Sequence, residues 1–233
     1  MQYWNIAYTQ EDKVKKNTES NSSVEISLIR RALSVYAEAF TCVDAEGIKA
    51  RESPDQSTAR MGLVSQNFNT LMTSIGVANA GYYIQSLILL RNVFENWLAF
   101  WYLAKYPVEA EKWLNPNAYR PSIETIRKKI DHPSKEDKQT SKTLYHVLSH
   151  FAHTDPVAIL ERLEQRGNES IMKVGVRYEK KDFSTCCQFI VFWIDCMLEA
   201  ISYWIAKENT WHSRNKEIRA EIETFLTFDL LKV

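Results

Sequence analysis

The sequence predicts an all-α fold, a single antiparallel bundle of about six main helices with short extra ones. Three observations lead there. The stretch 79–106, NAGYYIQSLILLRNVFENWLAFWYLAKY, spreads apolar side chains round nearly its whole circumference at 100° per residue, as in a helix enclosed by others. A second run, 182–208, places Phe189, Ile190, Trp193, Ile194, Met197, Ile201 and Trp204 at helical spacing. Only six Gly and six Pro stand against 28 aromatics, a balance that favours long helices separated by large side chains.

The elements follow in order. Residues 1–22 read as a loose N-terminal arm ending in the polar NTESNSS, and 23–233 as one helical domain. From Val24 to about Lys49, Ile26, Ile29, Leu33, Tyr36 and Phe40 recur on one face. SPDQ at 53–56 starts the next helix with Pro54 in its first turn, and Met61, Val64, Phe68, Leu71 and Ile75 continue it to Gly76. The central helix stops before Pro107, and VEAEKWL adds a short turn or two. A two-proline loop at 114–122 precedes the short IETIRKKI helix. A longer helix is expected from Ser134 to about Ala152, its apolar face being Leu144, Val147, Leu148 and Phe151. AILERLEQRG predicts one more short helix stopped by Gly167, and IMKVGVRY a brief strand or extended arm. A charged helix from about Arg214 to Leu226 closes the chain.

At 233 residues and 45% hydrophobic content the chain can fill one sizeable core. Lysine plus arginine and aspartate plus glutamate are both 29, so no global field draws it to nucleic acid or an anionic membrane. Binding to nucleic acid is left to a local patch. Cys42, Cys186, Cys187 and Cys196 lack the spacing of a disulfide framework or zinc cluster and read as reduced core residues. The N-terminus does not show the basic-then-apolar order of a secretion signal, which points to a cytoplasmic location. The most membrane-like run, 186–205, carries Asp195 and Glu199, and a central acid costs roughly 2.5–3.5 kcal/mol on insertion scales; no membrane partner is expected. The number of aromatics makes a homodimer plausible.

Candidate chemistry centres on a polar block interrupting the central helix: Arg91, Asn92, Glu95 and Asn96. As structure, Arg91 and Glu95 fix helix register as an ion pair four residues apart. As function, Arg binds an anion or carboxylate while Glu orients it or takes a proton. His146, His150 and His153 fall on one face of the 134–152 helix beside Ser149. Three imidazoles at these intervals are a zinc or iron set in principle, but no Glu-x-x-His or His-Glu-x-x-His accompanies them, so no metal or other cofactor is expected. Asp195 and Glu199, four apart, cannot both sit buried and ionised without a cation such as Arg91 or a lysine; the reading given more weight is that they line a wetter side of the helix.

The pattern L-L-R-x-x-x-E on a central helix (LLRNVFE, 89–95), a short Pro-interrupted helix, then L-S-x-x-x-H (LSHFAH, 148–153) resembles a widespread family of prokaryotic all-helical proteins built on a domain of unknown function. The similarity spans roughly residues 60–205 and implies no particular activity. More remotely the layout is similar to HEPN domains, helical modules of toxin and phage-defence systems, many of them metal-independent ribonucleases with an Arg, four to six residues, then His. Arg127 and His132 fit that spacing beside Arg120, Lys128, Lys129 and Lys135. With 12 Arg and five His, chance alone supplies about 0.8 such matches, so the spacing carries no weight. The leading expectation is a binding or interaction domain for a small ligand or protein, with Arg91, Glu95, Ser149 and His153 sharing one buried pocket. The alternatives are a HEPN-like ribonuclease and a metal-dependent hydrolase.

Overall fold

A helix apolar on every side needs neighbours on every side, and the architecture follows from meeting that need. The computed structural model describes residues 2–46, 52–130, 142–149, 163–166, 169–172, 176–205 and 210–226. In chain order the elements are α1 (Gln2–Asn21), α2 (Ser23–Glu46), α3 (Pro54–Asn79), α4 (Tyr83–Lys105), a 3-10 turn (Pro107–Glu109), α5 (Ala110–Leu114), α6 (Ile123–Lys129), α7 (142–149), β1 (Leu163–Arg166), β2 (Glu169–Met172), α8 (Lys180–Trp204) and α9 (Trp211–Phe225). The fold is all-α, with one two-stranded hairpin attached.

Helix α3 begins where the sequence places it: the Ser53 hydroxyl accepts the Gln56 amide at 3.2 Å, and Pro54 supplies a first-turn residue with no amide hydrogen to satisfy. It runs three residues beyond Gly76 and turns at Gly81, whose φ of +89° lets the chain reverse into α4. The antiparallel α3/α4 hairpin is the most extensively packed helix pair of the described residues. α4 ends at Lys105 because Pro107 lacks a donor and biases Tyr106 out of the helical region.

Helix α8 packs against α2, α3, α4 and α9. It is long and apolar enough to cross a membrane by length and composition, yet most of that stretch is covered by its neighbours. Aromatic pairs join it to α4, with ring centroids 5.4 Å apart for Phe94 and Trp193 and 5.7 Å for Phe100 and Trp204. Three buried polar side chains in this core reach carbonyls: Tyr36 Oη donates to Val64 O at 2.9 Å, Trp211 Nε1 to Val35 O at 2.7 Å and Gln56 Nε2 to Leu103 O at 2.8 Å. Between α3 and α4 the Ser74 and Ser86 hydroxyls meet at 2.8 Å.

Two expectations are corrected. Most of the arm at 1–22 is the helix α1, docked along a stripe four residues apart. Gln10 Nε2 donates to Val176 O at 2.8 Å, Val14 is buried, Thr18 Oγ1 donates to Asn79 O at 3.1 Å, and the Ser22 hydroxyl lies 3.3 Å from Tyr178 Oη. The stripe is mostly polar, which hides it from a reading of apolar periodicity. Residues 163–166, expected to be helical, form β1, paired antiparallel with β2 from Leu163 opposite Met172 to Arg166 opposite Glu169.

The turn at Gly81 generates a prediction. A Cβ there would stand 2.7 Å from Arg177 O and 3.0 Å from Val14, in a backbone conformation that L-residues avoid. Gly81→Ala is expected to lower stability by at least about 1–2 kcal/mol. Urea denaturation read by circular dichroism checks it; an unchanged midpoint contradicts the assignment.

Candidate functional site

The polar block of α4 divides between two neighbours. Asn96 Nδ2 donates to Asn92 Oδ1 at 3.0 Å and to Asn67 Oδ1 of α3 at 2.9 Å. Asn67, fully buried, gives its own amide hydrogens to Val93 O and Met197 Sδ, both at 3.2 Å. These asparagines therefore stitch α3, α4 and α8 together, and half of the block is structural.

Arg91 and Glu95 turn the other way. Arg91 Nε donates to Glu95 Oε1 at 2.9 Å, with the two side chains 19% and 28% exposed, and the guanidinium carbon lies 5.5 Å from the centre of the Tyr145 ring on α7. The pair is half-buried and wetted by solvent, not enclosed. An i, i+4 pair in that setting contributes about 0.3–0.5 kcal/mol, an order below the cost of breaking an enclosed one. Its chemical capacity is recognition: an Arg held in one orientation by its own carboxylate, over an aromatic ring, at a surface water can reach.

Ser149 stands one turn beyond Tyr145, and its hydroxyl donates to the Tyr145 carbonyl at 2.5 Å. His153, with His132 and His150, lies outside the described residues. His146 is exposed, its ring edge-on to Tyr145. Tyr145 is the site residue that sequence reasoning missed: it stands next to the apolar face of Leu144, Val147 and Leu148 without being counted in it, and only the contact with α4 marks it out.

A deeper ion pair also escaped the sequence. Glu52, in the segment leading to α3, binds the Arg60 guanidinium through Oε1, and the two side chains are only 3% and 5% exposed. Glu52 Oε2 accepts from Trp204 Nε1 at 3.1 Å and Ser57 Oγ at 3.2 Å, while the guanidinium lies 3.9 Å from the Phe100 ring centre and 5.1 Å from that of Trp204. Burial pulls the Arg60 guanidinium down to about 10, which leaves it charged at neutral pH. The only hint was Arg60 standing on the same side of α3 as Leu63, Val64 and Leu71.

Asp195 and Glu199 have the cation their spacing demands, supplied neither by Arg91 nor by a lysine. Arg219 of α9 makes a two-pronged contact with Asp195, Nε to Oδ1 at 2.7 Å and Nη2 to Oδ2 at 3.2 Å, and reaches Glu199 at 3.6 Å. The hydrogen bond that Arg219 donates to Asp195 raises the Arg219 pKa. All four cysteines are unpaired. Burial pushes the Cys186 thiol up to about 12 and those of Cys187 and Cys196 well above their ordinary value, which suppresses thiolate chemistry. Among the described residues no group of three or more His, Cys, Asp or Glu is placed to hold a metal ion. No family model, curated protein or solved structure matches the chain.

The contrast in depth is measurable. Arg60→Ala is expected to cost about 3–5 kcal/mol, because it strands Glu52 in the core, whereas the double change Arg60→Met with Glu52→Leu should recover most of that loss. Chemical denaturation of both variants tests it, and a double variant no better than the single one would contradict the account.

Proposed function

We propose that the chain is a binding domain whose ligand contact is centred on Arg91 and Glu95, with Tyr145 as its wall, and that it takes the anionic group of its ligand, a carboxylate or phosphate, at the guanidinium. The carrying observation is the placement of this pair: the only charged side chains on α4 before its final residue stand where α4 meets α7, reachable by water and over an aromatic ring. Solvated recognition of an anion uses such a group, and it needs neither a nucleophile nor a metal.

Thermal unfolding in the presence of succinate and of inorganic phosphate tests this reading. At ten times the dissociation constant a ligand adds about 1.4 kcal/mol, a rise in Tm of roughly 3–6 °C for a chain of this size. The rise is expected to vanish in Arg91→Met and to persist in His146→Ala. A Tm that neither anion moves, or one that moves equally in Arg91→Met, rejects the site.

One observation favours a second reading, the metal-independent ribonuclease. Near the C-terminal end of α4, Lys129 Nζ lies 5.9 and 5.8 Å from the ring centres of Tyr102 and Tyr106, Arg120 lies 5.6 Å from that of Trp113, and Tyr119 is 84% exposed. Cations interleaved with aromatics suit a single-stranded backbone and its bases. On this reading the protein cleaves RNA without added metal, and His132→Ala or His153→Ala abolishes the cleavage; intact RNA after incubation with the wild type removes it.

A further inference from the structure

A quarter of the chain is charged, yet the thirty residues between Arg60 and Arg91 contain no Asp, Glu, Lys, Arg or His. Burial explains the inward positions of this α3/α4 hairpin. It does not explain the outward ones, where solvation normally selects charge. On α3 the outward positions include Gly62, Gln66, Asn69, Thr73 and Gly76, all exposed. Their spacing of 4, 3, 4, 3 is that of a helix–helix seam, and it lies on a face with no partner helix among the described residues. Exposed apolar side chains flank it, Met72 at 49% and Ile88 at 36%. A shallow depression of about 410 Å³ runs beside it between Gly62, Thr73 and Leu89.

We infer that this face is the contact between two copies of the chain, α3 crossing α3 antiparallel about a two-fold axis near Asn69. Three arguments select a second copy over an unlike partner. A two-fold axis brings residues near it against their own images, so any charge there meets its like, and a face without charge is compatible with itself. Gln66 and Asn69 each carry both donors and acceptors in one amide, and so each can pair with an identical group. Gly62 and Gly76 stand seven residues either side of Asn69, so an antiparallel crossing sets the Gly62 of one copy opposite the Gly76 of the other. A Cβ at either would meet nothing within 4 Å in the single chain, so neither glycine is required by the chain's own packing. What their smallness provides is close approach of a second backbone.

Sedimentation equilibrium over a concentration series up to about 100 μM tests this on the full chain. The wild type is expected to approach twice its 27.2 kDa mass. Asn69→Glu and Asn69→Lys, each placing like charges together at the axis, are expected to remain at the single-chain mass with unchanged circular dichroism, and an equimolar mixture of the two to return to the doubled mass. A wild type that stays at the single-chain mass overturns the inference. So do variants that still double, which would put the contact on another face, or folded single-chain variants whose mixture does not re-associate.

Discussion

Enclosing α4 is the constraint on which the rest of the structure depends. Leu90, Phe94, Leu98 and Leu103 are fully buried on it, and α3, α6 and α8 all pack against it. Where a helix is covered, the polar groups at the covered positions seek partners on its neighbours. The asparagine links to α3, the hydroxyl pair of Ser74 and Ser86, and the reach of Gln56 to the Leu103 carbonyl are consequences of that one requirement.

Three of the Arg–carboxylate contacts show how depth and placement decide role. Arg60 and Glu52 are sealed under two aromatic rings and are committed to holding the α3 start against the α8 end. Arg219 and Asp195, about a quarter to a third exposed, tie α9 to α8 at the rim of the core. Arg91 and Glu95 are as wet, but they join neighbouring turns of one helix, so no tertiary contact is secured by their mutual bond. The Arg91 guanidinium, over the Tyr145 ring of α7, is thus held in place without being sealed.

Much of this was legible in the chain itself. Periodicity identified α2, α3, α4, α8 and α9, and Ser53, Pro54 and Pro107 marked boundaries, because capping and missing donors act locally. Two long apolar runs, each needing cover, cover one another where α4 and α8 pack. Failures came where the information was nonlocal. α1 docks through a polar stripe whose partners, Asn79 and Val176 to Tyr178, lie far along the chain. Residues 163–166 have helix-forming composition and become a strand by pairing with 169–172. Glu52 is an unremarkable acid until Trp204 arrives 152 positions later to cover it. Within the candidate site the Arg91–Glu95 bond was readable from four-residue spacing, but the wall opposite, Tyr145, belongs to another helix and no local rule points to it.

That separation bears on the order in which the protein assembles. As the chain leaves the ribosome, α3 and α4 emerge and can zip into a hairpin long before α8 is made, so Arg60 settles against Phe100 with Glu52 beside it while water still reaches both. Trp204, on the last turn of α8, is the group that covers the carboxylate, so full desolvation of the pair requires α8 in place. The desolvation of two charges is thereby deferred to a late step, where the burial of an entire apolar helix is on hand to drive it.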